Sequence, residues 1–224
     1  MIGGLLKVTV QDYPEHLACI IFLNGCNFKC PYCQNSQIAK CKVNEIPEEE
    51  VLDYLKKRKN LLDGVVISGG EPTINKHLKD LIKEIKEIGL DVKLDTNGYQ
   101  PNVIKELIDE NLVDYIAMDI KEVLPKNNKV VGLNINPKRI EESIEIIKNS
   151  KVKHEFRTTL IKEIHTMDDI KEIVKMTGES LCYLQNFNES EYVENKNLHG
   201  FSHDELVDIY NKLKSNKNLR VRGI

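Results

Sequence analysis

Cys26, Cys30 and Cys33 form a CxxxCxxC pattern in the run Gly25-Cys26-Asn27-Phe28-Lys29-Cys30-Pro31-Tyr32-Cys33-Gln34-Asn35. Three thiolates this close in sequence can wrap one metal centre. Four are needed to close a structural zinc site or an ordinary iron–sulfur cluster. A three-thiolate centre keeps one position open, where a substrate or cofactor can bind. Cys41 is near enough in sequence to be a fourth ligand, so a zinc site and a plain electron-transfer cluster stand as competing readings. Cys19 and Cys182 lie inside apolar runs and read as small buried hydrophobes.

Further polar groups recur behind short apolar stretches. They are Gly69-Gly70-Glu71-Pro72-Thr73, Asp95-Thr96-Asn97-Gly98, Asp119-Ile120-Lys121, Arg157-Thr158-Thr159 and Gln185-Asn186-Phe187. Paired glycines let a backbone approach a ligand closely. A carboxylate can hold an ammonium or a hydroxyl, and a lysine can neutralise a carboxylate. Arg157, on a Lys-dominated chain, can grip a carboxylate with two parallel N–H groups or serve a structural ion pair.

The elements that must position these groups follow from periodicity. Candidate strands run over residues 17–23, 65–68, 92–95, 115–120, 154–160 and 181–187, with a short last strand at 219–222. Amphipathic helix patterns lie between them. The clearest spans 76–88, with Leu78, Leu81, Ile82, Ile85 and Ile88 on one face and Gly89 as its stop. Val103, Ile104, Leu107 and Ile108 form a second core stripe, and Leu206, Ile209, Tyr210 and Leu213 a third. Pro47, Pro101 and Pro137 suit first helical turns. Thr166 with Asp169, and Ser202 with Glu205, read as capping boxes. Strand–helix alternation implies a parallel sheet, either an open doubly wound sheet or a barrel. In both, the C-terminal strand ends share one face, where sites are built. Each of the six main strands ends in one of the polar motifs above. Two long connections, 122–136 and 188–200, are expected to be binding loops or tolerated variation.

The 224 residues, 41% of them hydrophobic, suffice for one domain over residues 1–224 with a single large core. A net charge of −3 gives no nucleic-acid footprint. The N-terminus lacks a basic segment followed by a long apolar one, and the apolar run at 17–23 is too short to span a bilayer. Six cysteines in a chain this long, clustered as they are, fit a metal site in a reducing cytoplasm better than disulfides. An exposed iron site of this kind is oxygen-sensitive, which points to an anaerobe.

With these motifs in order, the chain resembles the radical S-adenosylmethionine (SAM) superfamily over nearly its full length. The N-terminal run Gly4-Leu5-Leu6-Lys7-Val8-Thr9-Val10-Gln11-Asp12-Tyr13-Pro14 further resembles the lead-in of anaerobic ribonucleoside-triphosphate reductase activating proteins. These group with the pyruvate formate-lyase activases. Members usually carry glycine after Asp-Tyr-Pro, where this chain has Glu15. The resemblance implies an α/β fold, a partial (β/α)6 TIM-like barrel. It implies one [4Fe–4S] cluster on Cys26, Cys30 and Cys33, with S-adenosyl-L-methionine on the fourth iron. The SAM-binding residues carried over are Tyr32, Gly69, Gly70, Glu71, Asp95, Thr96, Asp119, Lys121, Arg157 and Gln185, with Tyr32 lying against adenine or packing in the core. The implied chemistry is reductive cleavage of SAM to a 5′-deoxyadenosyl radical, which abstracts hydrogen from a substrate. The implied partners are a glycyl-radical enzyme, an anaerobic ribonucleoside-triphosphate reductase on which the glycyl radical is installed, and a flavodoxin or ferredoxin donor. Alternatives are another glycyl-radical enzyme, such as pyruvate formate-lyase, or a small-molecule substrate. Cys41 falls outside the three-cysteine motif. Cys41→Ser is therefore expected to retain its iron and brown absorbance after anaerobic reconstitution; loss of both would assign Cys41 to the metal.

Overall fold

The computed structural model describes residues 1–126 and 130–223. Eight strands form one sheet: β1 (Ile2–Thr9), β2 (Ala18–Leu23), β3 (Gly64–Gly69), β4 (Asp91–Thr96), β5 (Tyr115–Asp119), β6 (Lys153–Leu160), β7 (Leu181–Asn186) and β8 (Leu219–Arg222). Their spatial order is their chain order, β1 to β8. A doubly wound sheet reverses strand order at a switch point. No reversal occurs here, so the helices share the outer face and the sheet curls into a partial barrel. The strands β2 to β8 run parallel, and β1 pairs antiparallel with β2.

β1 was not among the expected strands. Its Gly3-Gly4 pair lowers strand propensity, and register shifts interrupt its pairing with β2 between Ile2 and Gly4 and between Leu6 and Thr9. Tertiary pairing overrides that weak local preference.

The helices that lie wholly within the described residues are α1 (Ser36–Ala39), α2 (Glu48–Arg58), α3 (Leu78–Ile88), α4 (Pro101–Asp109), α5 (Lys138–Lys148), α6 (Met167–Thr177) and α7 (His203–Leu213). Their apolar faces pack on the outward strand residues. Leu81, Ile82 and Ile85 of α3 join Cys19, Ile67 and Leu94 in the main core. Cys182 packs with Leu206 and Ile209 in a second cluster. Gly89 ends α3 at φ 94°, and both expected capping boxes are formed. Pro101 opens α4, whereas Pro47 and Pro137 sit one place earlier, at the caps. Tyr210 departs from its expected core role, at 37% exposed. Of the expected long connection at 122–136, residues 127–129 lie outside the described residues, and Leu124–Lys126 form a 3₁₀ turn.

Period-two alternation gives the inner face a different character. Near the N-terminal strand ends it is apolar: Tyr13 packs with Ala18, Ile20, Val66 and Tyr115. The Tyr13 ring stacks on His16 at 3.9 Å and meets Tyr115 edge-on at 5.9 Å. The Asp12-Tyr13-Pro14 motif thus closes the barrel floor, opposite the strand ends that carry the polar motifs. Glu15 follows it at φ 64°, the left-handed conformation that glycine adopts freely. That conformation costs a side-chain-bearing residue about 1–2 kcal/mol, against about 0.5–1 kcal/mol for the chain entropy a glycine brings. Glu15→Gly is expected to raise Tm by roughly 1–3 °C and Glu15→Val to lower it, by calorimetry. A lower Tm in the glycine variant would show that the Glu15 side chain contributes more than its backbone strain costs.

Candidate active site

The three cysteines leave the end of β2 on a loop that begins with Gly25 at φ 90°. Gly70 sets the approach of the next turn. A Cβ there would lie 1.9 Å from the Gly25 carbonyl oxygen. That oxygen accepts from the Glu71 N–H at 2.8 Å, so the Gly-Gly turn and the cysteine loop are locked together by backbone. No side chain larger than hydrogen fits between them.

Glu71 is 1% exposed. Its carboxylate accepts from Thr73 N at 3.1 Å, Thr73 Oγ1 at 2.5 Å, Thr96 Oγ1 at 2.7 Å and Asn97 N at 2.6 Å. Burial still pushes its carboxyl above the usual range. Glu71 and Thr96, both expected to bind cofactor, direct these side-chain groups at each other. Glu71 ties the β3 turn to the end of β4, and what the turn can offer a ligand is its Gly69-Gly70 backbone.

Below the cysteines the inner wall carries a continuous charge ladder. Lys93 Nζ lies 2.5 Å from Asp95 Oδ1. Arg157 bridges Asp95 Oδ2 at 3.3 Å and Asp119 Oδ1 at 2.8 Å, and Lys121 reaches Asp119 Oδ2 at 2.9 Å. Register explains the bridge: Asp119 of β5 is paired directly with Arg157 of β6. Burial alone would raise the Asp119 carboxyl, but the Arg157 and Lys121 cations hold it well below the usual range. Burial likewise works against the Lys121 ammonium, and Asp119 keeps it charged. Lys121 also acts on the thiols. Burial pushes Cys26 up to about 12, with Lys121 pulling weakly the other way. A metal must therefore displace the Cys26 proton on binding.

Cys26, Cys30 and Cys33 line one cavity of about 470 Å³ together with Gly69, Gly70, Asp95, Asp119, Lys121, Arg157 and Gln185. Glu71, Thr96 and Tyr32 reach its wall as well. The Tyr32 ring packs among Val130, Ile161, Phe187, Val193 and Leu198. Cys41 is exposed, outside that wall. The connection at 188–200 buttresses the cysteine loop: Gln34 Nε2 donates to Asn188 O at 2.9 Å and Ser36 Oγ to Tyr192 O at 2.6 Å.

The donor set fits an iron–sulfur cluster. Among the described residues no three Cys, His, Asp or Glu side chains close on a single ion. A cluster presents a separate iron to each thiolate and takes them further apart. A buried amide N–H group beside Cys26, Nδ2 of Asn27, has no partner within the described residues.

Several wall residues were not among the expected ones. Lys93 stands two positions before Asp95 and so shares its face, which the alternation alone implies. Ser68 Oγ donates to Asp95 Oδ2 at 3.2 Å. Arg222 lies 4.1 Å over the Tyr183 ring and donates to Gln185 Oε1 at 2.7 Å. No carboxylate pairs with Arg222 among the described residues. Nothing in the local sequence of β8 marks it; only the pairing of β8 with β7 brings it to the cavity.

Comparison with known proteins agrees with this geometry. The sequence model of the radical SAM superfamily matches residues 20–177. A protein of Methanocaldococcus jannaschii, provisionally named a glycyl-radical enzyme activating enzyme, is 35% identical over 82% of this chain and 78% of its own. The pyruvate formate-lyase-activating enzyme of Clostridium pasteurianum is 26% identical over 87% of this chain and 82% of its own. In fold, Streptococcus suis SuiB bound to its precursor peptide superposes with a TM-score of 0.73 at 18% identity, over 91% of this chain and 48% of SuiB. This chain thus spans about half of that protein. The motif-bearing cavity, the superfamily match and the extended similarity to the archaeal relative agree: the chain belongs to the radical SAM superfamily, in the family of glycyl-radical enzyme activating enzymes.

Proposed function

We propose that this enzyme installs a glycyl radical on a partner protein, an anaerobic ribonucleoside-triphosphate reductase. The observation that carries the activase reading is the similarity to a glycyl-radical activating relative along most of both chains. The 7-carboxy-7-deazaguanine synthase of Hyperthermus butylicus is equally identical, at 35%, but over only 35% of this chain. The choice of reductase rests on the resemblance carried by the Gly4-to-Pro14 run. A flavodoxin or ferredoxin supplies the electron.

Cys26, Cys30 and Cys33 would hold the [4Fe–4S] cluster, and the Gly69-Gly70 backbone, Asp95, Asp119, Lys121 and Arg157 would hold SAM. When bound, the pair supplies one-electron reductive cleavage and a carbon radical able to take hydrogen from a glycine. The chain's own part is placement. Gly70 brings the turn against the cysteine loop, so amine and cluster sites share one wall. Asp95 and Asp119 present fixed carboxylates to an ammonium or ribose hydroxyls, and Lys121 presents a fixed cation to a carboxylate. Arg157 holds both carboxylates in position, so the charges need not reorganise when the cofactor enters.

Arg157→Met should weaken SAM binding at least tenfold by calorimetric titration. It should also cost about 1–3 kcal/mol of stability, because Asp95 and Asp119 each lose one of two cationic partners and keep only Lys93 and Lys121. The sign with pH follows from the depressed Asp119 carboxyl. Its stabilisation is present above the unfolded value near 3.9 and is lost as pH falls through the lower folded value. The gap between wild type and variant should therefore narrow below about pH 4; a constant gap would mean that lost packing, not charge, sets the cost.

The functional test is anaerobic EPR. Reduced, reconstituted enzyme is mixed with SAM and the anaerobic ribonucleotide reductase of the same genome, with 5′-deoxyadenosine monitored in parallel. The expected result is a glycyl-radical doublet that is lost in Cys30→Ala. Deoxyadenosine without a doublet would reject this reductase and turn the search to another glycyl-radical enzyme. No deoxyadenosine from a cluster-loaded enzyme would reject SAM cleavage itself.

A further inference from the structure

Three cationic side chains among the described residues line the cavity that the cysteines share: Lys121, Arg157 and Arg222. The first two are committed. Lys121 is paired with Asp119, and Arg157 with both Asp95 and Asp119. Arg222 differs. A guanidinium carries five N–H donors. One of them, on Nη1, goes to Gln185 Oε1 at 2.7 Å, and the others have no partner among the described residues. The group is nevertheless held in place. Gln185 is the register partner of Arg222 on β7, so this bond runs straight across the strand pair. Tyr183 stands two positions before Gln185 on the same face, and the guanidinium carbon lies 4.1 Å from its ring centroid. Arg222 thus lies along the inner wall. Strand β8 ends the sheet and pairs with β7 alone, so Arg222 also stands at an open edge of the barrel, where it is exposed. A cation fixed by a ring and an amide, with its remaining donors free at the cavity mouth, is preorganised for a carboxylate, which meets a guanidinium through two parallel bonds. The carboxylate of SAM already has a cation assigned to it, Lys121.

We propose that Arg222 is a substrate-recognition residue, which binds an Asp or Glu carboxylate in the partner segment that carries the target glycine and so places that segment at the cavity mouth. The inference rests on the activase reading above. Its charge is suited to the role because no carboxylate of this chain competes for it among the described residues. Arg157 cannot serve in its place, since two aspartates occupy it.

The test measures glycyl-radical formation on the anaerobic ribonucleotide reductase of the same genome, over a range of reductase concentrations, with wild type, Arg222→Gln and Arg222→Lys. SAM affinity is measured separately by calorimetric titration without the reductase. The expected result for Arg222→Gln is a KM for the reductase raised about tenfold, with kcat and the SAM Kd within about twofold of wild type. Arg222→Lys keeps the charge but not the paired donors, and should fall between. Acidic residues flanking the reductase glycine are then changed one at a time to their amides. One of them should raise KM for wild type and have no further effect on Arg222→Gln. An unchanged KM overturns the proposal, as does an effect of every acidic residue that adds in full to that of Arg222→Gln. A SAM affinity that falls as far as KM rises assigns Arg222 to the cofactor's carboxylate and overturns it too. A wild type that forms no radical on this reductase overturns the partner reading first, and that failure shows before any variant is made.

Discussion

The Arg157 guanidinium between Asp95 and Asp119 is the contact on which the barrel interior depends. It joins three neighbouring strands, β4, β5 and β6, from the inside, where most folds of this size place hydrocarbon. Lys93 and Lys121 extend the ladder at either end, and Tyr115 donates to Glu155 at 2.9 Å just below. Such a network is tolerable only because each charge is paired. Removing any one cation leaves a half-buried carboxylate with a single cationic partner, and removing Arg157 does so for two. The same property makes the wall useful, since charges that already neutralise one another are fixed in place before a charged cofactor arrives. Below the ladder, Tyr13 and Tyr115 seal the barrel with an apolar plug, so the cavity opens toward the cysteines.

The cysteine loop has almost no regular structure of its own, yet contacts hold it on several sides. The Gly70 turn meets it at Gly25, with a backbone approach that excludes any side chain. Asn97 reaches Asn27 from the end of β4. Lys29 N donates to Val131 O at 2.8 Å, and Gly132 sits so close to the Lys29 carbonyl that a Cβ would lie 2.5 Å away. The segment after β7 covers its outer side. A three-thiolate centre has one free corner, and that corner is useful only if it faces the ladder. These contacts fix the loop that would hold such a centre relative to the ladder.

Much of this was legible in the chain alone, because the relevant signals are local. The CxxxCxxC spacing, the polar group at the end of each of six strands, the two capping boxes and Gly89 depend on residues within a few positions of one another, and all appear where periodicity put them. Parallel alternation of strand and helix likewise required one face of strand ends, which is why residues from Gly69 to Gln185 could be grouped before their contacts were known.

What required tertiary structure were relations between residues far apart in sequence. Periodicity could not choose between a barrel and an open sheet, since winding direction is a property of the whole sheet. Strand β1 was hidden by its glycines, and Arg222 by a segment whose only distinction is its neighbour β7. Glu71 and Thr96 read as cofactor ligands because of where they stand; both line the cavity, and the fold also bonds them to each other, since a buried carboxylate must find donors and two of them are at the end of β4. The free amide of Asn27 depends on Asn97 and Tyr99, some seventy residues on, and follows from no local rule. Local spacing determined which chemistry the chain can perform. Long-range packing decided which atoms remain free to perform it, because a polar group's availability depends on every neighbour that could satisfy it first.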